Sequence, residues 1–348
     1  MTRKLFGTDG VRGVAGKDIT AELALALGRA AASVSAADHP QVLVVRDTRE
    51  SGEMLEAALA AGVAAAGGHA LLGGVLPTPG AALLLRRYGL DLAAVVSASH
   101  NPYEDNGIKF FGPAGTKLSD EQEHEIERLL DEPATTPAPG RVRELHGTAG
   151  DYLRELETRF KDLKLGGVRV LLDCANGATY RVAPEIFRRL GASVEAIATQ
   201  PDGRNINDGV GSTHVEALAT KVTGGGYDIG FAFDGDGDRV LAVDRNGVVV
   251  DGDELIALAA LHLRRRDALP GGGVAVTVMT NYGFHKAMES AGVEVATTNV
   301  GDRYVLAELL KRGWALGGEQ SGHNLDTGFV PTGDGDAAAL LTLEALGG

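Results

Sequence analysis

One pattern occurs three times along this chain and decides most of what it can fold into. A β-branched strand is followed by a polar loop, a helix and a second strand introduced by glycine. The first copy runs from Val42-Leu43-Val44-Val45 through Asp47-Thr48-Arg49 and an alanine-rich helix to Gly68-His69-Ala70-Leu71-Leu72. The second opens at Val168-Arg169-Val170-Leu171-Leu172, turns at Asn176-Gly177 and returns at Gly191-Ala192-Ser193-Val194. The third starts at Val274-Ala275-Val276-Thr277-Val278 and returns at Gly292-Val293-Glu294-Val295. Short apolar strands alternating with helical segments predict α/β units whose sheets are at least partly parallel. The copies share a pattern rather than residue identities, as a distant internal repeat would.

A chain of 348 residues exceeds one ordinary core, so several domains are expected. Ser119, with Gln122 three residues later, reads as the capping-box start of a helix. The stretch after that helix, Pro133-Ala134-Thr135-Thr136-Pro137-Ala138-Pro139-Gly140, reads as a loop or linker. A second boundary falls at Val250-Asp251-Gly252-Asp253, before a helix carrying Leu255 and Leu258. The expectation is an α/β protein of three consecutive, similar domains with mixed sheets flanked by helices. Their limits are residues 1–150, 151–250 and 251–348, the last incomplete at its C-terminus.

Composition narrows the partners. The formal net charge of −14 argues against nucleic acid or an anionic membrane, because phosphates reward Lys and Arg. The single cysteine, Cys174, forbids an internal disulfide and agrees with a reducing compartment. No apolar signal core follows Met1-Thr2-Arg3-Lys4-Leu5-Phe6-Gly7. The Ala-rich run near 52–66 is too short to span a bilayer and carries Glu53 and Glu56. A soluble, cytoplasmic protein is expected.

Four segments carry chemistry. Leu92-Ala93-Ala94-Val95-Val96 reads as a buried strand, and the following Ser97-Ala98-Ser99-His100-Asn101-Pro102 offers a hydroxyl nucleophile on an exposed bend. Serines in turns also bond merely to nearby backbone, and His100, whose side chain should diverge from its neighbour's, reads as structural. After Phe231-Ala232-Phe233, the run Asp234-Gly235-Asp236-Gly237-Asp238-Arg239 lets alternate carboxylates converge. Oxygen-only donors suit Mg²⁺. A calcium loop of EF-hand type needs Gly at its sixth and Glu at its twelfth position; counted from Asp234 these are Arg239 and Arg245. Phe6-Gly7-Thr8-Asp9-Gly10-Val11-Arg12-Gly13 could meet phosphate through Arg12 and backbone N–H groups. Gly317-Gly318-Glu319-Gln320-Ser321-Gly322-His323 suits hydrogen bonding to sugar hydroxyls, and His323 could move a proton near neutral pH. Thr332-Gly333-Asp334-Gly335-Asp336 precedes a helical run and reads as its cap rather than as a second metal site.

In order, these segments resemble the α-D-phosphohexomutase superfamily, its phosphoglucosamine mutase branch most closely. Asp105-Asn106-Gly107-Ile108-Lys109-Phe110-Phe111, Asp173-Cys174-Ala175-Asn176-Gly177-Ala178 and Pro201-Asp202-Gly203-Arg204-Asn205-Ile206-Asn207 add to the likeness. The resemblance implies that Ser99 is a phosphoserine exchanging its phosphoryl group with a hexosamine phosphate through glucosamine 1,6-bisphosphate. It implies an isomerase converting glucosamine 6-phosphate to glucosamine 1-phosphate, on the route to UDP-N-acetylglucosamine and the cell wall. One Mg²⁺ per chain would be held by Asp234, Asp236, Asp238 and the phosphorylated Ser99. Arg12 would support the phosphoryl group, with Lys109 and His323 as acid/base candidates. Arg239, Gly301, Asp302, Arg303, Glu319, Ser321 and His323 would bind the sugar phosphate. The three domains would then carry the phosphoserine, the metal loop and sugar recognition, and a homodimer is compatible with the family.

Gln320 resembles the glucosamine branch; phosphoglucomutase or phosphomannomutase specificity is the alternative. The sequence also departs from the family. The Arg-x-Ser-Gly-Thr-type loop of a fourth domain, which grips the phosphate not being transferred, has no counterpart before Gly348, and Gly211-Ser212-Thr213 lacks its context. A truncated chain with weakened substrate binding is the expectation, and a metal- and phosphosugar-binding fragment without turnover the further alternative.

Overall fold

Each of the three repeats folds as a parallel strand pair joined across a helix. The computed structural model describes residues 5–7, 9–132 and 138–347. Residues 1–4, which open the N-terminal segment read above, Thr8, residues 133–137 of the expected linker, and Gly348 lie outside the described residues. By its internal contacts the chain divides into two units, Met1–Tyr152 with Pro201–Ile206, and Leu153–Gln200 with Asn207–Gly348.

The first unit contains β1 (Val11–Val14), α1 (Ala21–Val34), β2 (Gln41–Arg46), α2 (Gly52–Ala65), β3 (His69–Val75), α3 (Thr78–Tyr88), β4 (Leu92–Val96), β5 (Asp105–Phe111), α4 (Asp120–Leu129) and β6 (Arg141–Glu144). Its sheet runs in the order β1-β5-β4-β2-β3-β6. Val42, Leu43, Val44 and Val45 of β2 are wholly buried. That is why this strand reads as a continuous apolar run rather than an alternating one. Each such side chain stabilises the fold by roughly 1.5–3 kcal/mol. The alanine-rich helices α1 and α2 pack at backbone distance: a Cβ at Gly28 would lie 2.2 Å from the Leu59 carbonyl oxygen, and one at Gly62 2.0 Å from that of Leu25. Helix α4 starts with the expected capping box of Ser119 and Gln122. Strand β6, about which sequence patterning is silent, extends the sheet beside β3.

Helix α5 (Thr148–Arg159) crosses from the first unit into the second. The second unit then holds β7 (Arg169–Asp173), α6 (Val182–Arg189), β8 (Ser193–Ile197), α7 (Glu216–Gly225), β9 (Ile229–Phe233), β10 (Val240–Asp244) and β11 (Val249–Val250). It continues through α8 (Gly252–Arg265), β12 (Gly273–Thr277), α9 (Tyr282–Ser290), β13 (Glu294–Thr298), α10 (Asp302–Arg312), β14 (Leu316–Gly318), β15 (Asn324–Asp326), β16 (Val330–Gly333) and α11 (Gly335–Gly347). Its two sheets run β11-β10-β9-β7-β8 and β13-β12-β14-β15-β16. No helix among the described residues is long and apolar enough to cross a membrane.

The three sheets repeat one topology. The central strands β2, β7 and β12 have a parallel partner on one side, β3, β8 and β13, reached across a helix. On the other side each has a second parallel neighbour, β4, β9 and β14. That neighbour turns back into an antiparallel strand, β5, β10 and β15. The turns comprise residues 97–104, 234–239 and 319–323, and each leaves the carboxyl end of a parallel strand. Such ends are where open α/β sheets present ligand-binding loops.

Candidate active site

The serine turn of the first unit is held from beneath. Ser97 N–H donates to the Gly107 carbonyl at 2.9 Å, and Ser97 Oγ donates to Asp47 Oδ2 at 2.6 Å. Ser97 Oγ in turn accepts from the Ser99 N–H at 2.9 Å. Ser99 has φ of +54°, a left-handed conformation that costs a non-glycine residue about 1–2 kcal/mol. The expected exposed bend is not what forms: Ser99 is only 1% exposed. The turn is drawn inward because Arg49, itself buried, donates to the carbonyls of Ser99, Asn101, Pro102 and Asp105. Nor do the adjacent side chains diverge, since Ser99 Oγ lies 3.4 Å from His100 Nδ1. Burial lifts the Asp47 carboxyl above its usual range, against the pull of Arg49 and the hydroxyl of Ser97.

Beside this turn lies a cluster of cations. Arg12 on β1 stands opposite Gly107 of β5, the residue that receives the Ser97 N–H. Arg12 donates to Asp9, Lys117 Nζ lies 2.5 Å from Asp9 Oδ1, and Lys109 Nζ lies 3.6 Å from Asp9 Oδ2. Burial opposes ionisation of Asp9, yet Lys109, Lys117 and Arg12 together hold its carboxyl well below the usual range. Three cations thus gather around one carboxylate at the end of the sheet that carries Ser99. A phosphoryl group would be attracted there. Lys117 was not singled out by sequence reasoning; nothing in its local pattern marks it.

In the second unit the turn from β9 to β10 brings Asp234, Asp236 and Asp238 together. Each offers a carboxylate oxygen within 4.8 Å of the others, and all three residues are buried. Like charges so close, away from water, repel strongly unless a cation sits among them. The donors are all oxygen, so the residues present fit a hard divalent ion such as Mg²⁺. Arg239 lies close to all three carboxylates. Burial disfavours its charge, but Asp238, Asp234, Asp236 and Glu319 outweigh this and raise its pKa. Backbone bonds brace the turn on several sides: Ala178 N–H donates to Gly235 O at 2.8 Å, Gly335 N–H to Gly237 O at 3.0 Å, and Val240 N–H to Gly322 O at 3.0 Å. The motif ending at Ala178 therefore acts as a support for the aspartate turn.

The turn from β14 to β15 completes this cluster. His323 is buried between two carboxylates, its Nδ1 lying 3.5 Å from Asp238 Oδ1 and its Nε2 3.5 Å from Asp302 Oδ2. Burial works against the imidazolium, but Asp238 and Asp302 prevail and push its pKa up to about 8. Glu319 Oε1 accepts from the Gly301 N–H at 2.9 Å, tying this turn to Gly301-Asp302-Arg303. Ser321 is exposed, and Gln320 Nε2 donates to Asp251 Oδ2 at 3.0 Å. An open cavity of about 380 Å³ is lined by Glu319, Gln320 and Ser321 with Asp251, Met279 and Val300. Asp334 Oδ1 accepts from Ala337 N–H at 2.9 Å, so it caps α11 as its position suggests. The neighbouring Gly333 has a second role: a Cβ there would sit 2.5 Å from His323 Nε2.

Thus Ser99, Arg12 and Lys109 belong to the first unit, while Asp234, Asp236, Asp238, Arg239, Gly301, Asp302, Arg303, Glu319, Ser321 and His323 belong to the second. Within the second unit the aspartate turn, the Glu319 turn and the residues around Asp302 converge. Asp47, Arg49, Lys117 and Gly333 are the contributors that motif reading passed over.

Residues 3–136, 145–247 and 251–347 match, in turn, the alpha/beta/alpha domains I, II and III of the phosphoglucomutase/phosphomannomutase family. The phosphoglucosamine mutase of Moorella thermoacetica is 51% identical over 351 residues, covering 99% of this chain and 79% of that protein. That of Pelotomaculum thermopropionicum is 50% identical over 350 residues, covering 98% and 78%. The crystal structure of a phosphoglucomutase/phosphomannomutase family protein from Burkholderia thailandensis superposes with a TM-score of 0.85 at 28% identity, covering 97% of this chain and 76% of that one. The chain therefore belongs to the phosphoglucosamine mutases of the phosphoglucomutase/phosphomannomutase family.

Proposed function

We propose that the protein interconverts glucosamine 6-phosphate and glucosamine 1-phosphate, with Ser99 carrying the phosphoryl group between the two positions. The observation that carries this reading is 51% identity to a phosphoglucosamine mutase over 99% of the chain, a span that includes all three turns. In the forward direction the anomeric hydroxyl of glucosamine 6-phosphate attacks phosphorus on phosphorylated Ser99. A new O1–P bond forms, the Oγ–P bond breaks, and the hydroxyl proton passes to a base. The 1,6-bisphosphate then presents its other end, and Ser99 Oγ attacks the phosphorus on O6. The O6–P bond breaks, O6 takes up a proton, and glucosamine 1-phosphate leaves a rephosphorylated enzyme.

The residues divide these tasks. Arg12 would meet the charge on the transferring group, with Lys109 beside it and shared contact to Asp9 restraining both. Lys109 and His323 are the candidates to take and return the protons. Glu319 and Ser321 would bond the sugar hydroxyls, while Arg239 and Gly301-Asp302-Arg303 orient the phosphosugar. Asp234, Asp236 and Asp238, with an oxygen of phosphorylated Ser99, would hold Mg²⁺. Bound there, the ion would neutralise charge developing on the phosphoryl oxygens. The bisphosphate would also act as activator by recharging unphosphorylated Ser99. A cytoplasmic location, feeding UDP-N-acetylglucosamine synthesis, fits this chemistry.

The test is formation of glucosamine 1-phosphate by the full-length protein, stimulated by the 1,6-bisphosphate, together with intact-protein mass spectrometry for one phosphate on Ser99. More than a tenth of wild-type turnover in Ser99→Ala would sink the assigned nucleophile.

A further inference from the structure

Arg49 has no part in the mechanism above, yet it is one of the largest wholly buried side chains of the first unit. Its five N–H donors are all engaged within the protein. Nε donates to Asp47 Oδ2 at 2.8 Å. Nη2 donates to the Ser99 carbonyl at 2.8 Å and the Asn101 carbonyl at 2.9 Å. Nη1 donates to the carbonyls of Pro102 and Asp105, the latter at 3.1 Å. With no donor left and its charge matched by Asp47, this guanidinium is unsuited to binding a phosphate.

The acceptors reveal a different task. Apart from Asp47, they are carbonyls of the turn that carries Ser99 or, for Asp105, of the first residue of β5. Asp47 reaches the same residue by a second route, because its Oδ2 accepts from Ser97 Oγ, which accepts from the Ser99 N–H at 2.9 Å. The peptide groups on both sides of Ser99 are therefore clamped, the N–H through Ser97 and the C=O through Arg49, and both clamps meet at one carboxylate. Between them lies the left-handed backbone that aims the hydroxyl, with φ of +54°. A conformation of that kind persists only when its surroundings over-determine it.

We propose that Arg49 and Ser97, joined through Asp47, are positioning residues that fix the backbone of Ser99 and so set the rate of phosphoryl transfer at its hydroxyl. The inference rests on the reading of Ser99 as the phosphoryl carrier. A lysine at position 49 keeps the charge but loses the planar fork, so it cannot serve the same carbonyls. Misplacing a reacting atom by about 1 Å costs on the order of 10²-fold in rate.

Arg49→Lys, Ser97→Ala and Ser99→Ala are compared with wild type in the full-length protein. Measured are kcat and KM for glucosamine 6-phosphate, the single-turnover rate at which Ser99 gains phosphate from glucosamine 1,6-bisphosphate, and the thermal midpoint. Arg49→Lys is expected to lower kcat and the loading rate roughly 10²-fold, and Ser97→Ala roughly tenfold, with KM within about threefold of wild type. The double variant should lose less than the product of the two, since both act through one backbone segment. A purely structural role would lower the thermal midpoint and leave kcat of the folded fraction intact. Should Arg49→Lys fail to fold, Ser97→Ala decides the matter alone. If Ser99→Ala is inactive while the folded variants stay within twofold of wild type, or lose only through KM, the positioning role is overturned. If Ser99→Ala itself keeps more than a tenth of turnover, it is the phosphoryl-carrier reading that falls.

Discussion

The serine turn and the aspartate turn occupy the same place in two copies of one topology, yet they manage buried charge in opposite ways. Between β4 and β5, the Asp47 carboxylate meets the Arg49 guanidinium, and the remaining donors are spent on turn carbonyls. That turn is electrically complete within the protein. Between β9 and β10, three buried carboxylates lie near Arg239, and Asp238 also lies 3.5 Å from His323. That turn gathers oxygen donors that suit a cation. The lesson is that one scaffold position can hold a closed ion pair in one copy and a set of oxygen donors suited to a cation in another. The first arrangement suits a turn that must hold still, and the second a turn that would take up a divalent ion.

Substitutions in the two turns should separate these behaviours. The largest effect belongs to Ser99→Ala, for which glucosamine 1-phosphate formation should fall on the order of 10³-fold with little change in thermal midpoint. Asp236→Asn should lower turnover roughly 10²-fold and abolish the rise in thermal midpoint that Mg²⁺ gives the wild type. In EDTA the same variant should melt above wild type, because one repelling carboxylate is gone. A lower melting point there would remove the contrast between the turns. Asp47→Asn should do the reverse, destabilising the protein by about 3 kcal/mol in urea unfolding whether or not Mg²⁺ is present, since it strands the buried Arg49. A smaller change is expected from Gly333→Ala, whose methyl group would press on His323: turnover down roughly tenfold. The smallest concerns the sugar. Relative rates on the 6-phosphates of glucosamine, glucose and mannose should favour glucosamine by about tenfold, and a clear preference for either other sugar would move the protein to another specificity in the family.

Much of this was legible in local pattern. The β-branched runs of β2, β7 and β12, the glycines opening β3, β8 and β13, and the capping box at Ser119 need only neighbours within a few residues. The aspartate turn was legible for the same reason, its alternate carboxylates being adjacent in sequence. Asp47 and Arg49 were not, although they lie in plain view in the loop of the first copy. Their partners are about fifty residues away, and nothing local distinguishes a buried clamp from a solvated polar loop. The same holds for Lys117 against Asp9, and for His323 placed between Asp238 and Asp302. The burial of Ser99 went unread because it follows from Arg49 gathering carbonyls across the whole turn.

By itself the sequence determined the α/β class, the threefold repetition, a serine-bearing turn that offers a hydroxyl and the donor set that suits magnesium. Those properties reside in residue type and short-range spacing, which periodicity and side-chain chemistry settle before any folding. Only the tertiary structure decided which buried charges meet which partners. Charge balance in a buried turn depends on groups brought together from distant points in the chain, at distances of a few ångströms, where the low dielectric makes each pairing count.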